Sequence, residues 1–241
     1  MRADVDFADL LPEPPSSTPP LTLQGLGVRF GGVVALEGID LVVEPGETLA
    51  IVGQNGAGKS TLLNAVSGLV RISRGSRISI HDRRMERLRA WQRARAGLGR
   101  AFQDPPLVDH MTCRDNMLVG ARRHDRRATD RADALLESIG LAHLATAPAA
   151  HLSYGLRKLI DLGRSLMSAP NVLLLDEPTS GLDGAEQRTV EHMLASIKAT
   201  RRLAVIMVEH HMKLVETVAD RALVLEAGTV ARIGAPREVL T

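Results

Sequence analysis

The chain has 241 residues, of which 44% are hydrophobic but only 2% aromatic, so its core has to be built from Leu, Val, Ile, Ala and Met. A formal net charge of +2 excludes the strong global field that would argue for nucleic acid as a partner. The lone cysteine, Cys113, excludes a disulfide framework within the chain and suits a reducing compartment.

Residues 1–20 begin acidic and then carry Pro12, Pro14, Pro15, Pro19 and Pro20 with Ser16 and Ser17. This composition predicts a disordered or extended tail, and without an apolar run it is not expected to be a secretory signal. Leu21 to Phe30 and Ile39 to Val43 alternate as antiparallel strands do. Leu49 to Val52 is a short apolar strand feeding a glycine-rich turn, and a helix follows from about Lys59 to Gly68. Arg77 to Ile80 and Leu98 to Gln103 are further strand candidates. From about Met85 to Leu166 the pattern is mainly helical, broken at Pro105, Pro106 and Pro148. Only Lys59, Lys158, Lys198 and Lys213 are lysines, and many of the arginines fall between Arg71 and Arg131. A solvated face is the simpler reading of that bias; a docking surface for a partner or lipid headgroups is the other.

Val172 to Asp176 and Leu203 to Val208 are apolar without alternation, as in a parallel sheet covered on both faces. No apolar run approaches the ~18–20 residues that a membrane span needs, so any membrane role must pass through a partner. A helix from about Ala185 to Thr200 lies between these two strands. Arg221 to Glu226 and Thr229 to Ile233 form a terminal hairpin around Ala227-Gly228. The order of strands and helices predicts an α/β domain over residues 21–241, with a helical part at about 85–166.

Gly53-Gln54-Asn55-Gly56-Ala57-Gly58-Lys59-Ser60 fits the phosphate-loop pattern G-x-x-x-x-G-K-[ST] at every fixed position, between a strand and a helix. The glycines let successive N–H groups point into one concavity, and the helix start adds a positive dipole end. Gly53, Asn55, Gly56, Ala57, Gly58, Lys59, Ser60 and Thr61 are therefore the candidate nucleotide contacts, with Lys59 on the β and γ phosphates and Ser60 on Mg²⁺. The strand ending in Asp176-Glu177 supplies two carboxylates. Asp176 is placed to meet Mg²⁺ through a water, and Glu177 to polarise a water attacking the γ phosphate.

A phosphate loop alone also fits kinases and GTPases. Leu152-Ser153-Tyr154-Gly155, ahead of a helix and of the Asp176-Glu177 strand, separates them: it resembles the L-S-G-G-Q signature loop of the ATP-binding-cassette (ABC) ATPases. Tyr154 stands at its third place and Leu156 at its fifth. On its own such a stretch is also an ordinary helix cap. Family resemblance implies that Ser153, Tyr154 and Gly155 cap an ATP held by the phosphate loop of a second subunit. Further matches follow in the family's order. Phe30 resembles the aromatic that stacks on adenine, with core packing as the other reading. Gln103 resembles the glutamine that senses Mg²⁺ and the attacking water, Ser180-Gly181-Leu182-Asp183 the loop that crosses to the other subunit, and His210 the switch histidine near the γ phosphate.

Val28-Arg29-Phe30-Gly31-Gly32, the tyrosine of the signature and Val208-Glu209-His210-His211-Met212 are similar to the ATP-binding subunits of branched-chain amino-acid importers. The chain departs from them at Leu156, where glutamine is usual, at Ala101, where threonine is usual, and in ending at Thr241 without their C-terminal extension. The resemblance implies a P-loop cassette with a mainly parallel core sheet, an antiparallel β subdomain and a helical subdomain. It also implies Mg·ATP as substrate, a second ATP-binding subunit (identical or not), integral-membrane permease subunits, an indirect link to a solute-binding protein, no nucleic acid, and a peripheral place on the cytoplasmic face of the cell membrane. Motion would pass to the permease through about Asp104 to His124. An export role and a soluble ABC machine are the alternative functions. DNA-repair relatives carry long coiled-coil insertions and ribosome-acting ones two cassettes, and this sequence has neither.

Overall fold

The computed structural model describes residues 7–11 and 18–240. In chain order its strands are β1 (Leu21–Phe30), β2 (Val33–Val43), β3 (Thr48–Val52), β4 (Arg77–Ile80), β5 (Arg83–Arg84), β6 (Leu98–Ala101), β7 (Val172–Asp176), β8 (Ala204–Val208), β9 (Arg221–Glu226) and β10 (Thr229–Gly234). Its helices are α1 (Phe7–Leu10), α2 (Lys59–Ser67), α3 (Ala90–Arg95), α4 (Cys113–Leu118), α5 (Ala128–Ser138), α6 (Tyr154–Leu166), α7 (Gly184–Thr200), α8 (Met212–Val218) and α9 (Pro236–Val239).

Two sheets organise them. A six-stranded sheet runs β10-β9-β3-β8-β7-β6, and a four-stranded sheet runs β2-β1-β4-β5. In the larger sheet β9, β3, β8, β7 and β6 are mutually parallel, and only β10 is antiparallel, to β9. The smaller sheet is antiparallel throughout. The architecture is therefore α/β with a mainly parallel core sheet, as the sequence pattern predicts.

Alternating side chains of the parallel strands feed two separate cores, because successive Cβ atoms point to opposite faces. Val172 and Leu174 pack with Leu21, Ile39, Leu62 and Leu223 between the two sheets. Leu173 and Leu175 pack with Met117, Leu135, Leu159 and Leu194 under the helices. This two-sided burial is why β7 and β8 read as continuous apolar runs. Each fully buried Leu or Val contributes roughly 1.5–3 kcal/mol.

Several boundaries differ from the pattern. The second strand begins at Val33 instead of Ile39, because the hairpin with β1 continues to the Phe30–Val33 pair through register shifts. The strand expected to reach Gln103 ends at Ala101, since the Phe102 N–H leaves the ladder and donates to Asp161 Oδ2 at 2.9 Å. The span 85–166 is split by β6, which joins the core sheet beside β7. Within the expected N-terminal tail, residues 1–6 and 12–17 lie outside the described residues. Phe7–Leu10 form a short helix, with Phe7 and Leu11 buried and Arg202 Nη1 donating to the Ala8 carbonyl at 2.6 Å. Two apolar side chains repeating at this spacing are enough to seat a helical turn against α7. Among the described residues no helix is long and apolar enough to cross a membrane.

Candidate functional site

The C-terminal ends of β3 and β7 lie one strand apart, separated by β8. This brings the loop after β3 next to the carboxylates that end β7. A cavity of about 480 Å³ opens there, lined by Asn55, Gly56, Gly58, Lys59, Ser60, Thr61 and Glu177, with Val33, Val34 and Ala227-Gly228 on its far wall. Gly53 has φ 153, and a Cβ there would collide with the Leu225 carbonyl oxygen, so the loop can pass β9 only with glycine at that position. Ala57 N–H donates to the Gln54 carbonyl at 3.1 Å, closing the loop on itself.

Lys59 Nζ lies inside this loop, donating to the carbonyls of Gly53 at 2.7 Å and Gln54 at 2.9 Å. Burial pushes its ammonium below the ordinary lysine value, and Glu177 and Asp176 act in the opposite sense. Ser60 Oγ donates to Asp176 Oδ1 at 3.2 Å. Asp176 is buried, which raises its carboxyl above the usual range; Arg100, then the Ser60 hydrogen bond, are the main opposing influences. A hydroxyl and a carboxylate, both hard oxygen donors, thus meet at one edge of the cavity. Among the described residues no group of three or more His, Cys, Asp or Glu converges to hold a metal. Two protein oxygens fit Mg²⁺, which keeps several waters and takes most of its remaining ligands from phosphates.

Glu177 follows directly and has φ 49, a left-handed backbone that a non-glycine residue adopts only under constraint. Four contacts surround it. The Glu177 N–H donates to the Val208 carbonyl at 3.0 Å, and its own carbonyl accepts from Lys158 Nζ at 2.7 Å. Its side chain accepts from Gln103 Nε2 at 3.1 Å and lies 3.2 Å from His210 Nε2. Gln103, Glu177 and His210, drawn from the ends of β6, β7 and β8, therefore converge at the rim of the loop cavity. His210 is oriented in turn by Glu209, whose carboxylate accepts the His210 N–H at 2.9 Å and a hydrogen bond from Thr179 Oγ1.

Phe30 is 51% exposed at the end of β1, opposite Val33, which is 67% exposed. It is not a core residue, so of the two readings core packing is removed. It does not itself line the cavity, but Val33 does. The Ser153–Gly155 stretch does not line the cavity of its own chain either. Ser153 caps α6, its Oγ accepting the Leu156 N–H at 3.3 Å. Tyr154 bonds within its own chain: its hydroxyl donates to the Gln103 carbonyl at 2.9 Å and its ring lies 5.6 Å from Lys158 Nζ. Gly155 lies against the Glu186 carboxylate, which would have to move to admit a Cβ there. Asp183 caps α7, accepting the N–H groups of Ala185 and Glu186 at 2.8 Å each, while its own N–H donates to the Glu186 carboxylate. Leu156 packs against the helical core.

Sequence reasoning did not single out Arg100, Lys158 or Glu186, and named Glu209 only as part of the switch motif. Lys158 left one signal, as one of only four lysines in the chain. It is 5% exposed and holds the Glu177 and Ser180 carbonyls together.

Comparison with known proteins gives three findings. The family described as ABC transporter matches residues 36–180. The chain is 33% identical to the high-affinity branched-chain amino acid transport ATP-binding protein LivG of Escherichia coli (strain K12), covering 92% of this chain and 94% of LivG. It is 35% identical to the methionine import ATP-binding protein MetN of Mesorhizobium japonicum, covering 92% of this chain and 62% of MetN. A solved nucleotide-free ATP-binding cassette from an ABC transporter superposes with a TM-score of 0.83 at 25% identity, over 92% of this chain and 95% of that one.

Proposed function

This chain belongs to the ABC transporter family as an ATP-binding, ATP-hydrolysing subunit, and from that premise we propose that it is the motor of a membrane importer for branched-chain amino acids. Glu177 carries the mechanistic reading, held at φ 49 between Gln103 and His210 beside the phosphate loop. A left-handed backbone at a cavity rim, held in place by its surroundings, supports a functional role for this position.

In this reading Lys59 exchanges its loop carbonyls for the β and γ phosphates of ATP, and the loop N–H groups of Gly53 to Thr61 cradle the rest. Ser60, Asp176 and Gln103 would hold Mg²⁺, which supplies charge neutralisation across the phosphates when bound. Phe30 and the exposed Val33 offer an apolar platform for the adenine. Glu177 orients and polarises the attacking water, and His210 fixes the geometry at the γ phosphate. Catalysis then rests on positioning and charge stabilisation in an in-line transfer.

The phosphate side is built within one chain, and Ser153–Gly155 of that chain do not line its cavity. Two chains, identical or related, would close head to tail so that Ser153, Gly155 and Asp183 of one cover the ATP held by the other. Those contacts exist only in the closed pair, so ATP shifts the population towards closure and its hydrolysis releases it. The movement reaches a permease through about Asp104 to His124, on the cytoplasmic face of the membrane, with a solute-binding protein delivering substrate to that permease. Likeness to LivG along nearly its whole length, against 62% of MetN, favours branched-chain amino acids over methionine.

Co-purification with the permease subunits and reconstitution in vesicles test this. ATP-dependent leucine or isoleucine uptake is expected, stopped by Glu177→Gln. Uptake of methionine alone, or outward transport, would overturn the substrate or direction assigned.

A further inference from the structure

Asp176 is held by a second residue besides Ser60. Arg100, in β6, has a side chain only 8% exposed, and the Asp176 side chain is 6% exposed. A charge this deeply placed persists only if it is paired. Its partners come from three separate elements. Nη2 lies 3.4 Å from Asp176 Oδ2 at the end of β7, and Nη1 donates to Ser67 Oγ at the end of α2. The guanidinium sits 4.7 Å from the centre of the Phe102 ring, in the residue before Gln103. The two Asp176 oxygens are thereby divided: Oδ2 faces Arg100, and Oδ1 faces Ser60 Oγ.

We propose that Arg100 is a positioning residue for metal-assisted nucleotide binding, turning Asp176 so that Oδ1 stays on the Ser60 side and bracing the Phe102-Gln103 segment against the same group. This rests on the nucleotide site described above. Outer partners of a ligating carboxylate orient it, and their removal weakens metal binding by an order of magnitude or more. Lysine retains the charge but lacks the planar fork that spans Ser67 and Asp176 together.

Calorimetric titration of ADP at a series of Mg²⁺ concentrations tests this without reference to turnover. Arg100→Met is expected to raise the Mg²⁺ concentration giving half of the metal-dependent gain in ADP affinity by about tenfold. Metal-free ADP affinity should change by less than about twofold, because Arg100 touches no loop residue that lines the cavity. Arg100→Lys should recover part of the loss. Ser67→Ala, which loosens the far end of the fork, should shift the Mg²⁺ requirement in the same direction by a smaller factor, and it carries the test if Arg100→Met does not fold. An unchanged or lowered Mg²⁺ requirement in these variants would overturn the assignment, as would an equal loss of ADP affinity with and without metal. Wild-type protein that bound no ADP at all would instead overturn the nucleotide site itself.

Discussion

Two helix starts, α2 and α6, carry the glycine and serine chemistry of this molecule, and they are finished to different degrees. At α2 the cap is Gly58, with no side-chain hydrogen bond, and the loop before it encloses a cavity that already contains Lys59, Ser60 and Glu177. At α6 the cap is Ser153, exposed beside a Tyr154 that is 43% exposed, and it does not line the phosphate-loop cavity. Behind its surface α6 is tightly fixed, by Glu186 against Gly155 and by Tyr154 against Gln103. The first start walls a cavity of its own chain. The second is an exposed surface fixed from behind. The difference supports the proposal that one copy of this fold binds nucleotide and that the second start acts on a nucleotide bound by another chain.

The substitution with the largest expected effect falls on the finished half. Glu177→Gln keeps the hydrogen bonds to Gln103 and the Val208 carbonyl, so ATP binding should survive while turnover falls by about 100-fold or more. A steady-state ATPase assay beside an ATP-binding isotherm checks both parts, and an ATP-locked pair of chains should accumulate. Lys59→Ala removes the cavity's cation and should weaken ATP affinity by about tenfold or more; unaltered binding would reject the loop assignment. Ser153→Arg attacks only the open half. Nucleotide affinity of the single chain should stay within about twofold while ATP-driven pairing disappears, as read by sedimentation with ATP. If it lowered single-chain affinity instead, the two halves would not be separable.

Smaller effects fall on the supports. Lys158→Met leaves the carbonyls of Glu177 and Ser180 without their shared donor and should cost about 1–3 kcal/mol in urea unfolding. Asp220 sharpens the comparison by lying away from both helix starts. Burial alone would raise its carboxyl, but the Thr48 N–H, then Lys198 and Arg201, hold it below the usual value. Its folded pKa is thus lower than its unfolded one, so its contribution is present above the ordinary carboxylate range and is lost as pH falls through the folded value. Asp220→Asn should flatten the acid limb of the stability profile and leave ATP binding unchanged.

Much of this was legible in the chain. The unbroken apolar runs of β7 and β8 announced a sheet covered on both faces, and the fixed spacing from Gly53 to Ser60 announced the phosphate loop, because both depend on local order. The residues that brace the site were not legible. Arg100 reaches Asp176 across 76 residues of sequence, and Glu209 reaches Thr179 across 30. Such partners are created by strand order, which periodicity does not encode. Gly155 is instructive in another way. Its spacing suggested a signature loop, but its close approach to the carboxylate of Glu186, 31 positions onward, is visible only once α6 and α7 are placed. The N-terminal turn at Phe7–Leu10 was hidden for the opposite reason, since a four-residue helix is too short to show a period.

The account depends most on the claim that the Ser153 surface serves a nucleotide held by another chain. ATP turnover by Ser153→Arg, at concentrations where sedimentation shows single chains, tests it most directly. Turnover is predicted to be lost while ADP still binds; turnover at the wild-type rate by that unpaired chain would contradict it.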